Sequence, residues 1–210
     1  MIFLTKTLVL RRYSTKLDLF KSNSVFLIIS GIFVFGLLVG SFSISICENN
    51  SFYGLSNYFN EYIIFLKNAE FSKIFLSSLF MFTLIILLNY ILGLCVIGNF
   101  VSLFILLLIS FGVGSISGFL YKSFSINGIG FFALAVLPGL FLFCVNYILS
   151  LKHSFCFSRE LFKLCKKEAN VSVNFKNYSI KYVIHFILVI FNSLIFSFFT
   201  NTFVSMFNFD

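Results

Sequence analysis

Charged residues are scarce in this sequence: Asp, Glu, Lys and Arg together make up 10% of its 210 residues. A soluble domain of this size carries about a quarter. Because 60% of the residues are hydrophobic, there is too little charge to coat a water-soluble core. An ordinary globular domain is therefore excluded, and membrane residence follows. Tryptophan is absent, and proline occurs once, as Pro138. The five cysteines, Cys47, Cys95, Cys144, Cys156 and Cys165, show no Cys-x-x-Cys or Cys/His spacing. Neither zinc nor a disulfide is expected, and the thiols read as small apolar filler.

A local absence of charge locates the spans. Between Ile74 and Tyr121 there is no Asp, Glu, Lys or Arg, a run of 48 residues. About 20 helical residues cross a hydrocarbon core roughly 30 Å thick at 1.5 Å rise per residue. The run is thus too long for one span and right for two, with a turn expected at Gly98-Asn99. The chain then reads as an all-α integral membrane protein with about five transmembrane helices in a single polytopic domain. The spans fall at about 24–47, 73–95, 99–121, 128–150 and 182–204, with an outer loop at 48–72 and a basic inner loop at 151–181. The first span is longer than a signal-peptide apolar region and ends in no small-residue cleavage site, so it is expected to remain as an anchor.

What charge there is orients the spans. With a cytoplasmic N-terminus, the inner segments hold Lys6, Arg11, Arg12, Lys16 and Lys21 before the first span. After the fourth they hold Lys152, Arg159, Lys163, Lys166, Lys167, Lys176 and Lys181. The outer segments hold only Lys67, Lys73 and Lys122. This is a strong positive-inside bias, and it places the C-terminal Asp210 outside. The formal net charge of +8 belongs to these flanks, so membrane lipids are expected partners and nucleic acid is not.

Two segments beside the spans are amphipathic. In the outer loop, Leu55, Tyr58, Phe59, Tyr62, Ile63 and Leu66 recur at helical spacing, which predicts a short helix lying on the membrane face or against another protein. Tyr58, Phe59 and Tyr62 are its candidate partner contacts. In the inner loop, basic residues surround Leu161, Phe162, Leu164 and Cys165, as in an interfacial helix on an anionic leaflet. Within the spans, Gly36 and Gly40 are four apart on the first, and Gly114 and Gly118 are four apart on the third. That spacing removes side chains from one face and lets backbones approach closely. Pro138-Gly139 predicts a kink or break in the fourth span. Asn89, Asn146 and Asn192 are amides within spans and are expected to hydrogen-bond between helices.

Groups for chemistry are missing. No predicted span contains Asp or Glu, and the two histidines, His153 and His185, stand 32 positions apart. No paired histidines, acidic dyad, Ser/Lys pair or phosphate-cradling glycine loop is present. No catalytic residue, metal or cofactor is expected, and the chain reads as a non-enzyme.

The segment from Gly93 to Phe143, GLCVIGNFVSLFILLLISFGVGSISGFLYKSFSINGIGFFALAVLPGLFLF, resembles the central region of stage II sporulation protein M. Shared features are the Ile-Gly turn between the second and third spans, the Gly-x-x-x-Gly-Phe end of the third, a short outer turn, and an aromatic-rich fourth span with central proline. The flanks agree, with a basic N-terminus, an outer aromatic amphipathic segment, a basic inner loop and a final span. Broader relatives carry Pro-His-Gly and a downstream Glu. Here Pro138 is followed by Gly139-Leu140, and no Glu follows it until Glu160, so their charged function does not carry over.

The resemblance implies a multi-pass protein of the mother-cell septal and engulfing membrane in endospore formation. It implies a non-enzymatic scaffold for membrane-anchored peptidoglycan hydrolases resembling stage II sporulation proteins D and P. A second copy of the chain is a further candidate partner. The alternative is a small transporter or channel using the Pro-broken fourth helix. The orientation has a direct check: reporter fusions at Asn49 and Asn170 are expected to report outside and inside respectively, and an outside signal at Asn170 would invert the topology.

Overall fold

The computed structural model describes residues 26–46, 49–166 and 174–207, with backbone alone over 49–56. The basic stretch holding Lys6 to Lys21, together with Cys47, Lys167 and Asp210, lies outside the described residues, as does the Leu55 side chain. No strand occurs among the described residues. The fold is all-α and the surface identifies its solvent. Leu27, Phe35, Phe42, Phe100, Phe104, Phe141 and Phe191 point outward, each more than half exposed, whereas serines, asparagines and a histidine lie buried. An exterior of this kind is stable only in hydrocarbon, so the protein is a multi-pass membrane protein.

Helix α1 is Phe26–Ile46, α2 Asn49–Asn68, α3 Phe71–Gly93 and α4 Gly98–Phe131. A π-helical turn, Phe132–Val136, leads into α5, Leu137–Cys165, and α6 is Phe175–Phe203. The helical run from Gly98 to Cys165 is 68 residues long, about 100 Å at 1.5 Å per residue and some three times the bilayer core. It breaks at Ser125, whose φ of 50° and ψ of −126° are non-helical. These angles are those of the first central position of a type II′ turn, which favours glycine, so a serine there is strained. Contacts at both ends show that the chain reverses at this point. The Lys122 ammonium donates to Ile44 O at 3.2 Å, and the Ser158 hydroxyl, far along α5, donates to Cys95 O at 2.9 Å. Among the described residues, the apolar helices long enough to span are thus five.

The first tight turn falls at Leu94–Ile97, one step before the expected Gly98-Asn99. It is closed by Leu94 N–H to Ile91 O at 3.1 Å and Gly98 N–H to Cys95 O at 3.2 Å. Two other expectations are corrected. The basic segment beyond residue 150 is not a separate interfacial helix. It continues α5, because Leu151, Ser154, Phe157 and Ser158 keep the buried stripe of that helix. The outer amphipathic helix is also longer than a short surface segment, running 20 residues, with Ile63 and Leu66 buried.

Close packing of α1 on α4 depends on four glycines. A Cβ on Gly36 would collide with the Ser110 hydroxyl, one on Gly40 with Phe111 O, and one on Gly114 with Leu37 O. At Gly118 it would stand 3.0 Å from Ser41 O. The two Gly-x-x-x-Gly pairs therefore face each other, backbone against backbone, and the Ser115 hydroxyl reaches Gly40 O at 3.4 Å. Lipid tails solvate leucine as well as protein does, so this intimate van der Waals contact replaces a hydrophobic driving force. Gly36→Leu and Gly114→Leu are expected to cost about 1–3 kcal/mol by overpacking. Gly112→Ala, whose Cβ meets nothing within 4 Å, is expected to be neutral or to stabilise by up to about 1 kcal/mol through helix propensity. Unfolding of the variants in mild detergent measures both.

Candidate functional site

Along α6 the buried positions are Tyr178, Tyr182, His185, Val189, Asn192, Ser193, Phe196, Ser197 and Thr200. They recur every three or four residues, one helical face, and most are polar. Facing them, α5 contributes Asn146, Tyr147, Ser150 and Ser154, and α3 contributes Asn89 and Gly93. The result is a polar seam where α3, α5 and α6 meet. From Tyr178 to Thr200 it extends about 33 Å, the depth of a bilayer core.

The seam is held by hydrogen bonds between helices. The Asn89 amide donates to the Ser150 hydroxyl at 2.7 Å, which donates to Tyr147 O at 2.8 Å. The Tyr182 hydroxyl donates to Ser150 O at 3.1 Å, and the Tyr178 hydroxyl to Tyr90 O at 2.9 Å. Asn146 grips His185 twice: Nδ2 donates to His185 O at 3.2 Å, and Oδ1 lies 2.6 Å from Nδ1. An amide oxygen only accepts, so the Nδ1 of His185 carries its proton. Around these bonds Tyr90, Tyr178 and Tyr182 stack within about 5 Å of one another, and Phe157 stacks on Tyr178 at 4.1 Å. Glycine at position 93 admits this cluster, since a Cβ there would strike the Tyr178 hydroxyl.

Of the three amides expected to bond between helices, Asn89 and Asn146 do so. The Asn192 amide nitrogen has no partner, although the residue is buried. The histidines, far apart in sequence, meet: the rings of His153 and His185 are 5.5 Å apart. Expecting no paired histidines was therefore mistaken, because helix antiparallelism brings positions on α5 and α6 together. No third His, Cys, Asp or Glu joins them as a metal ligand among the described residues.

At the other end of the seam, Pro138 lies in the first turn of α5. Proline cannot donate to the carbonyl one turn back. The chain absorbs the defect in the π-turn just before it, where Leu137 N–H reaches back five residues to Phe132 O. The Thr200 hydroxyl donates to Ala135 O at 3.0 Å. The helix continues through Pro138, with the irregularity expected there taking the form of the π-turn, and the reversal at Ser125 falls in the short outer turn expected between the third and fourth spans. Gly139 permits the approach of α6, for its Cβ would sit 2.5 Å from Phe196 Cα.

The proposed contact residues of α2 separate. Phe59 stacks on Phe119 of α4 at 4.5 Å and holds α2 to the bundle. Tyr58 is 72% exposed and Tyr62 39%, which leaves these two facing outward. Compared with family models, curated proteins and solved structures, the chain matches none. The resemblance to stage II sporulation protein M therefore rests on the quoted segment from Gly93 to Phe143.

The α6 stripe could have been read from its spacing, whereas the partners it meets could not. A double-mutant cycle of Asn89→Ala and Ser150→Ala is expected to show a coupling of about 0.6 kcal/mol, and no more than about 1.7, the range for hydrogen bonds between membrane helices. Unfolding free energies of the four proteins measure it.

Proposed function

We propose that this protein is a non-catalytic membrane platform. In the role implied by the resemblance, it anchors a peptidoglycan-hydrolase complex at the engulfing septal membrane, with the basic end of the bundle in the cytoplasm. The carrying observation is the seam. Asn89, Asn146, Tyr178 and Tyr182 direct their hydrogen bonds to other helices, which locks helix register. A platform needs that rigidity, whereas a conduction path needs polar groups free to exchange partners. Less supports the transporter alternative, because the helix continues through Pro138 by way of the π-turn and the Thr200 hydroxyl holds Ala135 O.

Docking would fall on α2, whose outward Tyr58 combines apolar area with a hydroxyl, a side chain favoured at protein interfaces. The hydrolases, resembling stage II sporulation proteins D and P, would bring the chemistry. Used as bait in its native membrane, the chain is expected to retain a wall hydrolase, Tyr58→Lys to weaken that retention, and deletion to arrest engulfment. Normal spores after deletion, with no hydrolase retained, would refute the platform. Solute flux in proteoliposomes of the pure chain would instead favour the transporter.

A further inference from the structure

Between α2 and the bundle lies an apolar cavity of about 200 Å³. Phe59 and Leu66 of α2 form one wall, Ser78 and Phe82 of α3 a second, and Leu140 and Phe196 close the inner end beside the π-turn. Ser78 on this wall spends its hydroxyl on Phe75 O at 3.0 Å, so it does not call for water. An apolar cavity of about 150 Å³ in a soluble protein stays dry and takes up benzene. This larger one stands in a bilayer, where the abundant apolar solute is the acyl chain.

A groove beside the cavity carries a basic residue. The cavity shares Phe65 and Ser77 with this open groove between α2 and α3. Lys73, in the first turn of α3, lines that groove. Apolar space in the bundle thus adjoins a groove with an ammonium at the helix end, where headgroup phosphates lie.

We propose that the gap between α2 and α3 is a binding site for one anionic phospholipid, with a tail in the cavity and the phosphate at Lys73. The lipid then forms part of the packing that holds α2 against α4 and α6. The site is independent of the platform role: it stands or falls on lipid binding, whatever the bundle anchors.

The test places the full chain in phosphatidylcholine vesicles containing a trace of phosphatidylglycerol with a diazirine near its tail end. Photolysis is expected to label the peptides bearing Phe82, Leu140 and Phe196. Excess unlabelled phosphatidylglycerol should suppress that labelling, and further phosphatidylcholine should not. Lys73→Gln is expected to lower the preference for phosphatidylglycerol about five-fold, the effect of one basic residue at a membrane surface. Ser78→Phe, which fills the cavity, should abolish labelling of the three sites. Labelling confined to lipid-facing residues such as Phe191 and Phe198 would overturn the proposal, as would equal competition by the two lipids. The wild-type and Lys73→Gln arms decide the matter even if Ser78→Phe fails to fold.

Discussion

In hydrocarbon, an apolar side chain gains nothing by leaving lipid for protein, and this constraint organises the bundle. Leucines and phenylalanines that would fill the core of a soluble domain face outward here. The interior mixes apolar side chains such as Leu106, Phe119 and Phe143 with small and polar residues that fix how the helices meet. Where α1 meets α4, four glycines and Ser115 let the backbones touch. Where α3, α5 and α6 meet, asparagine, serine, tyrosine and histidine tie the helices by hydrogen bonds. These are two solutions to one problem, a dense van der Waals contact and a specific polar contact, placed in different parts of the molecule.

The polar contact carries more information. A glycine face tolerates sliding, whereas the two hydrogen bonds between Asn146 and His185 specify one register of α5 on α6. The π-turn belongs to the same logic. Pro138 removes one backbone donor, and the surrounding ladder is rearranged and backed by Thr200 instead of being left open. Hydrogen bonds between helices over the Tyr178–His185 part of the seam favour a protein that keeps its shape while others attach to it. At the α2 joint, Phe59 stacks on Phe119 beside an apolar cavity.

Much of this was legible in the residues. Spans followed from the uncharged run between Ile74 and Tyr121, and the facing glycines from their four-residue spacing. The continuation of α5 past residue 150 was not legible. Charge suggested a separate surface helix, but the buried stripe through Ser154 and Ser158 extends the packing beyond the apolar run. The reversal between the third and fourth spans fell where the predicted spans left room for it, but the form of the irregularity at Pro138 was not legible: a π-turn carries the helix past the proline. Ser125 carries no warning in its identity, because its positive φ is imposed by the reversal around it.

Composition and periodicity alone determined that the chain lives in a membrane, that it is helical, and which face of each helix is small or polar. These are local properties, set by one residue and its neighbours one turn away. Which polar faces meet was decided only in three dimensions: Asn89 on Ser150, Asn146 on His185, and His153 beside His185. A buried amide demands a partner but does not name it. The choice depends on how five helices share one interior, and that is a property of the whole bundle.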